Sequence, residues 1–199
     1  MEEIITQEEF DKLLKHPGEV RGVAFTTAAE FIKENEGEEG VKRMEEAITQ
    51  LGYPLKYKDI ETMQFYPVGL QVINIIVMKK LFGYDDQKVK EMGSFNAKFS
   101  LLIRLFMRYF FSIEMAAKVA SEMWGKHYTI GRLVPEEHNE KEKYVILKLE
   151  DFSVHPLLCV DLLGYFASVV KMVVGAEVKG EETKCVHRGD EYCKFVLRW

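Results

Sequence analysis

The chain has 199 residues, of which 47% are hydrophobic and 30% are charged, and its formal net charge is −5. This length and composition predict a globular protein with one substantial hydrophobic core. The negative charge and the scattered Lys and Arg residues argue against direct binding of nucleic acid, and no apolar run reaches the roughly 20 residues that span a bilayer. The acidic N-terminal segment contains no signal peptide and the cysteine count is odd, so we expect a reducing, cytoplasmic location.

A short amphipathic helix is predicted near the N-terminus, over residues 6–15. Thr6 is a suitable N-cap, Glu8 and Glu9 follow in the first turn, and Pro17 ends the segment. Because this helix lies outside the main apolar pattern, we expect it to pack on a partner subunit. We therefore predict a helical extension over residues 1–20 that forms a homodimer, and a single ligand-binding domain over residues 21–199.

The first half of that domain shows the periodicity of α-helices. Gly37, Gly52 and Gly83 mark the ends of predicted helices. The longest helical stretch carries phenylalanines at helical spacing, and we call it the Phe-rich helix (residues 94–124). The predicted helices span residues 22–35, 37–51, 68–82, 85–92 and 94–124, with an irregular connection over residues 53–66.

Two strand pairs are predicted in the C-terminal third, on either side of an apolar helix over residues 157–175. The first pair covers residues 127–135 and 143–151, and the second covers residues 176–187 and 191–199. Gly189 supplies the positive φ that a short hairpin loop needs. N-terminal helices followed by an antiparallel sheet of two hairpins that flank a helix indicate an α+β fold.

The three cysteines of the chain fall in this C-terminal part. With the hairpin turn at Gly189, Cys185 and Cys193 lie opposite each other on neighbouring strands, with their Cβ atoms roughly 4.5–5.5 Å apart. Cys159, at the start of the apolar helix, is able to join them in the folded chain. Such thiols form a disulfide, pack as small hydrophobes, or share a metal ion with a fourth ligand from the acidic segment before Cys185.

The spacing of these residues resembles a known family. His-Pro-x-x-Cys at 155–159, Gly164-Tyr165, Glu182-x-x-Cys185 and Gly-Asp-x-x-Cys at 189–193 are similar to the 4-vinyl-reductase-type domain, which also serves as the sensor of aromatic-responsive transcription activators. The resemblance implies a structural zinc ion, held by a ligand set carried over onto Cys159, Glu182, Cys185 and Cys193. It also implies a fold related to haem-NO-binding sensors and to Golgi transport-particle subunits.

The fourth ligand of this zinc site stays open at the level of sequence. Side chains alternate along a strand, so Cys185 shares its face with Glu181 rather than with Glu182. Glu182 joins the cluster only if the strand bulges or begins after it. Glu181, His187 and His155 are the alternatives.

Aromatic residues predict a ligand pocket between the Phe-rich helix, the helix over residues 157–175 and the sheet. His127 or Tyr128 would be the polar contact, and the competing interpretation is that the aromatic stripe is simply core. We do not expect haem, because no histidine aligns with the proximal ligand of the haem sensors. The predicted lining consists of Phe99, Phe106, Phe110, Trp124, His127, Tyr165 and Phe166.

The function predicted from these observations is a zinc-stapled sensor of a small apolar or aromatic molecule that signals through a partner or as a homodimer. The chain has no phosphate-binding loop and no G-x-S-x-G motif, so we do not expect an enzyme. The alternatives are a scaffold subunit of the transport-particle type, or a haem- or tetrapyrrole-binding protein with an accessory role.

Overall fold

The computed structural model describes residues 5–99 and 112–199. Within these ranges it contains six α-helices and two antiparallel sheets. The helices are α1 Gln7–Leu14, α2 Val23–Gln50, α3 Val68–Phe82, α4 Asp86–Phe99, α5 Ile113–His127 and α6 Pro156–Val174. The strands are β1 Glu19–Arg21, β2 Phe65–Pro67, β3 Arg132–Asn139, β4 Tyr144–Glu150, β5 Lys179–Lys184 and β6 Cys193–Arg198.

The α+β architecture predicted from the sequence is confirmed. The four C-terminal strands form one antiparallel sheet in the order β3-β4-β6-β5, and α6 connects its two hairpins. Burial alternates along β4, where Val145, Leu147 and Leu149 are buried. The sheet therefore presents one apolar face to the core, as a half-covered antiparallel sheet does.

Helix α6 is apolar because it is the central helix of the core. It packs on α4 and on strands β5 and β6. Among the described residues it is also the one helix long and apolar enough to cross a bilayer by length and composition, yet half of that stretch is buried inside the protein.

The N-terminal helix begins as its sequence indicates. Thr6 accepts a hydrogen bond from the Glu9 amide, and the Glu9 side chain accepts one from the Thr6 amide, which completes a capping box. Phe10 is buried and α1 packs against α3. Contact of this extension with a partner subunit stays a prediction.

A glycine interrupts α2 where the sequence predicts a boundary between two helices. Gly37 has φ +72° and ψ −176°, a backbone conformation that side chains with a Cβ atom rarely adopt. The 28-residue helix is therefore two helical segments that meet at a kink.

The prediction of one continuous Phe-rich helix is wrong. Ser112 is extended, with φ −153° and ψ 157°, and its side chain accepts a hydrogen bond from the Met115 amide at 3.2 Å as the N-cap of α5. Ser is among the favoured N-cap residues, and apolar periodicity does not reveal such a break. At the other end, the helix predicted to stop at Met92 continues through Gly93 to Phe99.

The strand predicted to begin at His127 also starts later. Helix α5 extends to His127, and β3 begins at Arg132. Between them, Tyr128 pairs with Val20 of β1 in an isolated antiparallel bridge. This bridge joins the N-terminal part of the chain to the end of α5.

Glycines allow α4 and α6 to cross in backbone contact. A Cβ atom on Gly93 would lie 1.9 Å from the Asp161 carbonyl oxygen, and one on Gly164 would lie 2.0 Å from the Lys90 carbonyl oxygen. The Ser94 hydroxyl donates a hydrogen bond of 3.0 Å to the Gly164 carbonyl oxygen. Neither glycine has room for a side chain.

Gly164→Ala is expected to lower the free energy of unfolding by about 3 kcal/mol, because the added methyl group forces α4 and α6 apart. Gly125→Ala is the matched control, since a Cβ atom on this glycine of α5 meets nothing within 4 Å. The control should be neutral or slightly stabilising. Urea unfolding of both variants checks this, and equal midpoints would contradict the close crossing.

Candidate metal cluster and ligand cavity

Three separate elements bring the cysteines to one point. Cys159 lies in the first turn of α6, where His155 is the N-cap and accepts a hydrogen bond from the Leu157 amide. Cys193 is the first residue of β6. Cys185 directly follows β5, one position beyond the pair of Lys184 and Lys194, so the hairpin register places the two cysteines opposite each other.

The three sulfur atoms form a nearly equilateral triangle. The Sγ distances are 3.8 Å between Cys159 and Cys193, 3.9 Å between Cys159 and Cys185, and 3.9 Å between Cys185 and Cys193. A disulfide requires about 2.05 Å, so all three cysteines are free thiols. Zinc–sulfur bonds of about 2.3 Å in a tetrahedron place two sulfurs about 3.8 Å apart, which matches the observed triangle.

Glu182 completes this group. One of its carboxylate oxygens and the three sulfurs all lie within 4.8 Å of one another. The register of β5 against β6 shifts between Glu182 and Lys184, and this bulge turns Glu182 to the side of Cys185. The group found in the described residues therefore contains Glu182 and none of the alternatives Glu181, His155 and His187.

Neighbouring polar residues hold the cluster in place. Arg188 donates to Glu182 Oε2 at 3.0 Å and to the Glu182 carbonyl oxygen at 3.2 Å. Glu182 Oε1 is buried without a hydrogen-bond partner in the described structure. Asp190 Oδ2 accepts from the Cys185 amide at 2.8 Å. The carboxylate is thus fixed by one oxygen, while the other has no partner.

The thiols influence one another's ionisation. The hydrogen bond between Cys159 and Cys193, together with burial, raises the pKa of the Cys159 thiol. The same hydrogen bond lowers the pKa of Cys193 to about 7, and burial raises the pKa of Cys185 to about 11. One thiolate therefore forms readily, and further ionisation in the buried cluster is opposed.

A second feature is a cavity of about 160 Å³ that lies among α2, α5, α6 and β4. Most of its wall is aliphatic or aromatic, with a few polar side chains. The lining residues around which the following paragraphs are built are Thr27, Gln71, Asn96, Ala120, Trp124, His127, Tyr128, Asp161, Tyr165 and Phe166.

The structure brings part of the predicted pocket together. Trp124, His127 and Tyr165 line the cavity, as do Phe166 and Tyr128. The side chain of Phe99, and Phe106 and Phe110 altogether, lie outside the described residues.

A packed group of aromatic rings forms one wall of the cavity. The Trp124 and Tyr128 rings stack with their centroids 4.4 Å apart, and Trp124 Nε1 donates to the Ile130 carbonyl oxygen at 2.9 Å. Tyr128 donates from its hydroxyl to Gln71 Oε1 at 3.2 Å. Because these rings are fixed by both stacking and hydrogen bonds, this wall is rigid.

Three polar side chains of the lining hold buried atoms without partners in the described structure: Asn96 Oδ1, His127 Nε2 and Asp161 Oδ1. Burial raises the pKa of the Asp161 carboxyl to about 7. Burial, and to a smaller extent Arg21, lowers the pKa of His127. Buried polar groups in proteins are nearly always hydrogen-bonded, so this concentration of exceptions in one cavity marks it as a candidate binding site.

Sequence reasoning overlooked Asp161 and Asn96. Asp161 interrupts an otherwise apolar helix, and this signal could have identified it, since a carboxylate on a buried helix face needs a reason. Asn96 carried no comparable signal, because α4 was predicted to end at Met92, before this residue.

Comparison with known families separates the two halves of the molecule. Residues 154–199 match the family model of the 4-vinyl-reductase (4VR) domain. This 4VR segment contains all four residues of the cluster, whereas the cavity also includes side chains from α2, α4 and α5. No curated protein matches the chain significantly.

The whole fold is similar to that of H-NOX proteins. The Fe(II) unliganded H-NOX protein from K. algicida has a TM-score of 0.62 and 14% identity, covering 89% of this chain and 95% of that one. An H-NOX protein from S. oneidensis in the Fe(II)NO state has a TM-score of 0.57 and 13% identity, covering 89% and 98%. These likenesses show the fold, and they confirm the superfamily that the 4VR segment implies. They do not support the expectation that haem is absent.

Proposed function

We propose that this protein is a sensor module that binds a small, largely apolar molecule in the cavity and is stapled by a zinc ion in the cysteine cluster. The 4VR segment and the H-NOX-like fold support a small-molecule or haem-binding sensor. The cavity and the cluster support the more specific form of this proposal.

The cavity, with its unpartnered polar atoms, carries the functional proposal. Its volume of about 160 Å³ is close to the roughly 150 Å³ of an engineered cavity that binds benzene. Small-molecule sites combine an apolar wall with a few polar groups that fix orientation. A ligand of about one ring, with polar atoms that pair with these groups, suits such a cavity.

Haem fits the described residues less well. His127 could serve as an axial ligand, because it lines the cavity and its Nε2 has no partner in the described structure. A macrocycle of four pyrrole rings, however, needs several times the space of one ring. The lining also contains no Lys or Arg among the described residues to pair with the haem propionates. We therefore favour a smaller ligand.

The cluster suits a structural zinc ion. Three cysteine sulfurs at tetrahedral spacing and a carboxylate oxygen without another partner make up a full four-ligand set. With four protein ligands the ion would leave no position open for a substrate. It would stabilise the junction of α6 with β5 and β6 without taking part in chemistry.

Both sites meet on α6, which links them mechanically. Cys159 lies one turn before Leu163, while Asp161 and Tyr165 of the same helix line the cavity. The zinc ion would hold α6 to the sheet as a fixed wall. A ligand would then act on the opposite wall, formed by α5, and this displacement would be the signal passed to a partner.

Thermal-shift and calorimetric titrations with single-ring aromatic compounds test the proposal. We expect at least one ring compound to raise the melting temperature of the wild-type protein. Ala120→Phe fills the cavity from its α5 wall and should abolish the shift. Ala176→Phe is the matched control, because Ala176 is exposed and outside the cavity, and it should retain the shift.

Flat titrations with every ring compound would overturn the sensor proposal. A Soret band that appears on titration with haem, and that Ala120→Phe removes, would instead support the haem-binding alternative.

A further inference from the structure

Two unpartnered polar groups of the cavity lie at the crossing of α4 and α6. Asp161 of α6 is 3% exposed and Asn96 of α4 is 9% exposed. Gly93 of α4 contacts Asp161 directly, and Asn96 follows Gly93 by three residues, on the same face of the helix. Asp161 and Asn96 both line the cavity.

The unpartnered atoms of this pair are of one chemical kind. Asp161 Oδ1 and Asn96 Oδ1 are both oxygens that accept hydrogen bonds. No Lys or Arg occurs in the cavity lining within the described residues, so nothing there compensates the carboxylate. A buried carboxylate without a positive partner is strongly disfavoured.

We infer that the ligand is a small cation, a protonated primary amine on an apolar body of about one ring. Its ammonium group would donate hydrogen bonds to Asp161 and Asn96, and its ring would lie against the aromatic wall of Trp124 and Tyr128. This inference rests on the proposed function, because it concerns the same cavity.

The donor count favours an ammonium group over other polar groups. An ammonium group carries three N–H donors and a positive charge, whereas a hydroxyl group carries one donor and no charge. A carboxylate ligand would place a second negative charge beside Asp161, which is unfavourable. Hydrogen bonds between charged groups are roughly twice as strong as neutral ones.

Four ligands of similar size that differ in one polar group test the inference. They are benzylamine, benzyl alcohol, toluene and benzoate, titrated by calorimetry into the full chain at neutral pH, where benzylamine is protonated and benzoate is ionised. We expect benzylamine to bind about tenfold more tightly than toluene, and benzoate to bind most weakly.

Asp161→Asn is the matching variant, since it keeps the size of the side chain and removes its charge. It should weaken benzylamine binding about tenfold and leave the toluene affinity within about twofold. Asp151→Asn is the control, because Asp151 is exposed and outside the cavity, and it should change neither affinity.

The outcomes separate this inference from the proposed function. Toluene or benzoate binding as tightly as benzylamine, or an Asp161→Asn variant that binds benzylamine normally, would overturn the cationic ligand and leave the sensor cavity standing. Failure of all four compounds to bind would overturn both.

Discussion

Cys193→Ser is expected to release the bound metal ion and to lower the free energy of unfolding by roughly 5 kcal/mol or more. Structural zinc contributes about 10–16 kcal/mol of binding free energy in small zinc domains, and part of this should be lost when one of four ligands is replaced. The triangle of sulfurs joins α6, β5 and β6, so its loss should loosen the junction of the helix with the sheet. Elemental mass spectrometry and urea unfolding measure the two effects.

The fourth ligand can be tested with a matched pair of neighbours. Glu182→Gln removes the carboxylate that completes the cluster, whereas Glu181→Gln makes the same change at an exposed residue outside it. Only Glu182→Gln should reduce the metal content, measured as zinc per chain. Wild-type protein that contains no metal when purified without chelator, with Cys193→Ser equally stable, would contradict the zinc site.

Asp161→Asn is expected to stabilise the protein at pH 8 and to have little effect near pH 4. Burial raises the pKa of Asp161 from 3.8 to about 7, so the folded protein holds this proton more tightly than the unfolded chain. Stability from this group is fully present below about pH 4 and is lost as the pH rises towards 7. Tyr128 and Tyr165, whose own pKa values are raised by burial, and neutral His127 are the titratable groups that share the cavity with it.

The size of this effect follows from the pKa difference. Each pKa unit corresponds to 1.36 kcal/mol, so the wild-type carboxyl should cost about 4 kcal/mol above pH 7. Asp161→Asn should then raise the melting temperature by roughly 10 °C at pH 8. Asp151→Asn, at an exposed residue, should have no such effect. Melting curves from pH 4 to pH 8 check this, and a pH-independent difference between Asp161→Asn and wild type would contradict the buried carboxyl.

The sequence alone was sufficient for features that depend on local geometry. Thr6 and Gly175 cap helices through contacts within a few residues, so the predicted bounds of α1 and α6 are close to those observed. Cys185 and Cys193 face each other because side chains along a strand alternate with a period of two. The α+β class follows from the order of helices and strands in the same way.

Only the tertiary structure decided the features that depend on contacts between distant elements. Ser112 ends the predicted continuous helix because its side chain caps α5, and apolar periodicity does not distinguish this from an exposed serine. Glu182 rather than Glu181 joins the cysteines because a bulge in β5 reverses the alternation at that point. Asp161 became a candidate for ligand binding only when α4 and α6 were seen to cross and enclose it without a partner. Burial and hydrogen bonding are properties of the folded chain, and a single sequence does not contain them until its distant parts are brought together.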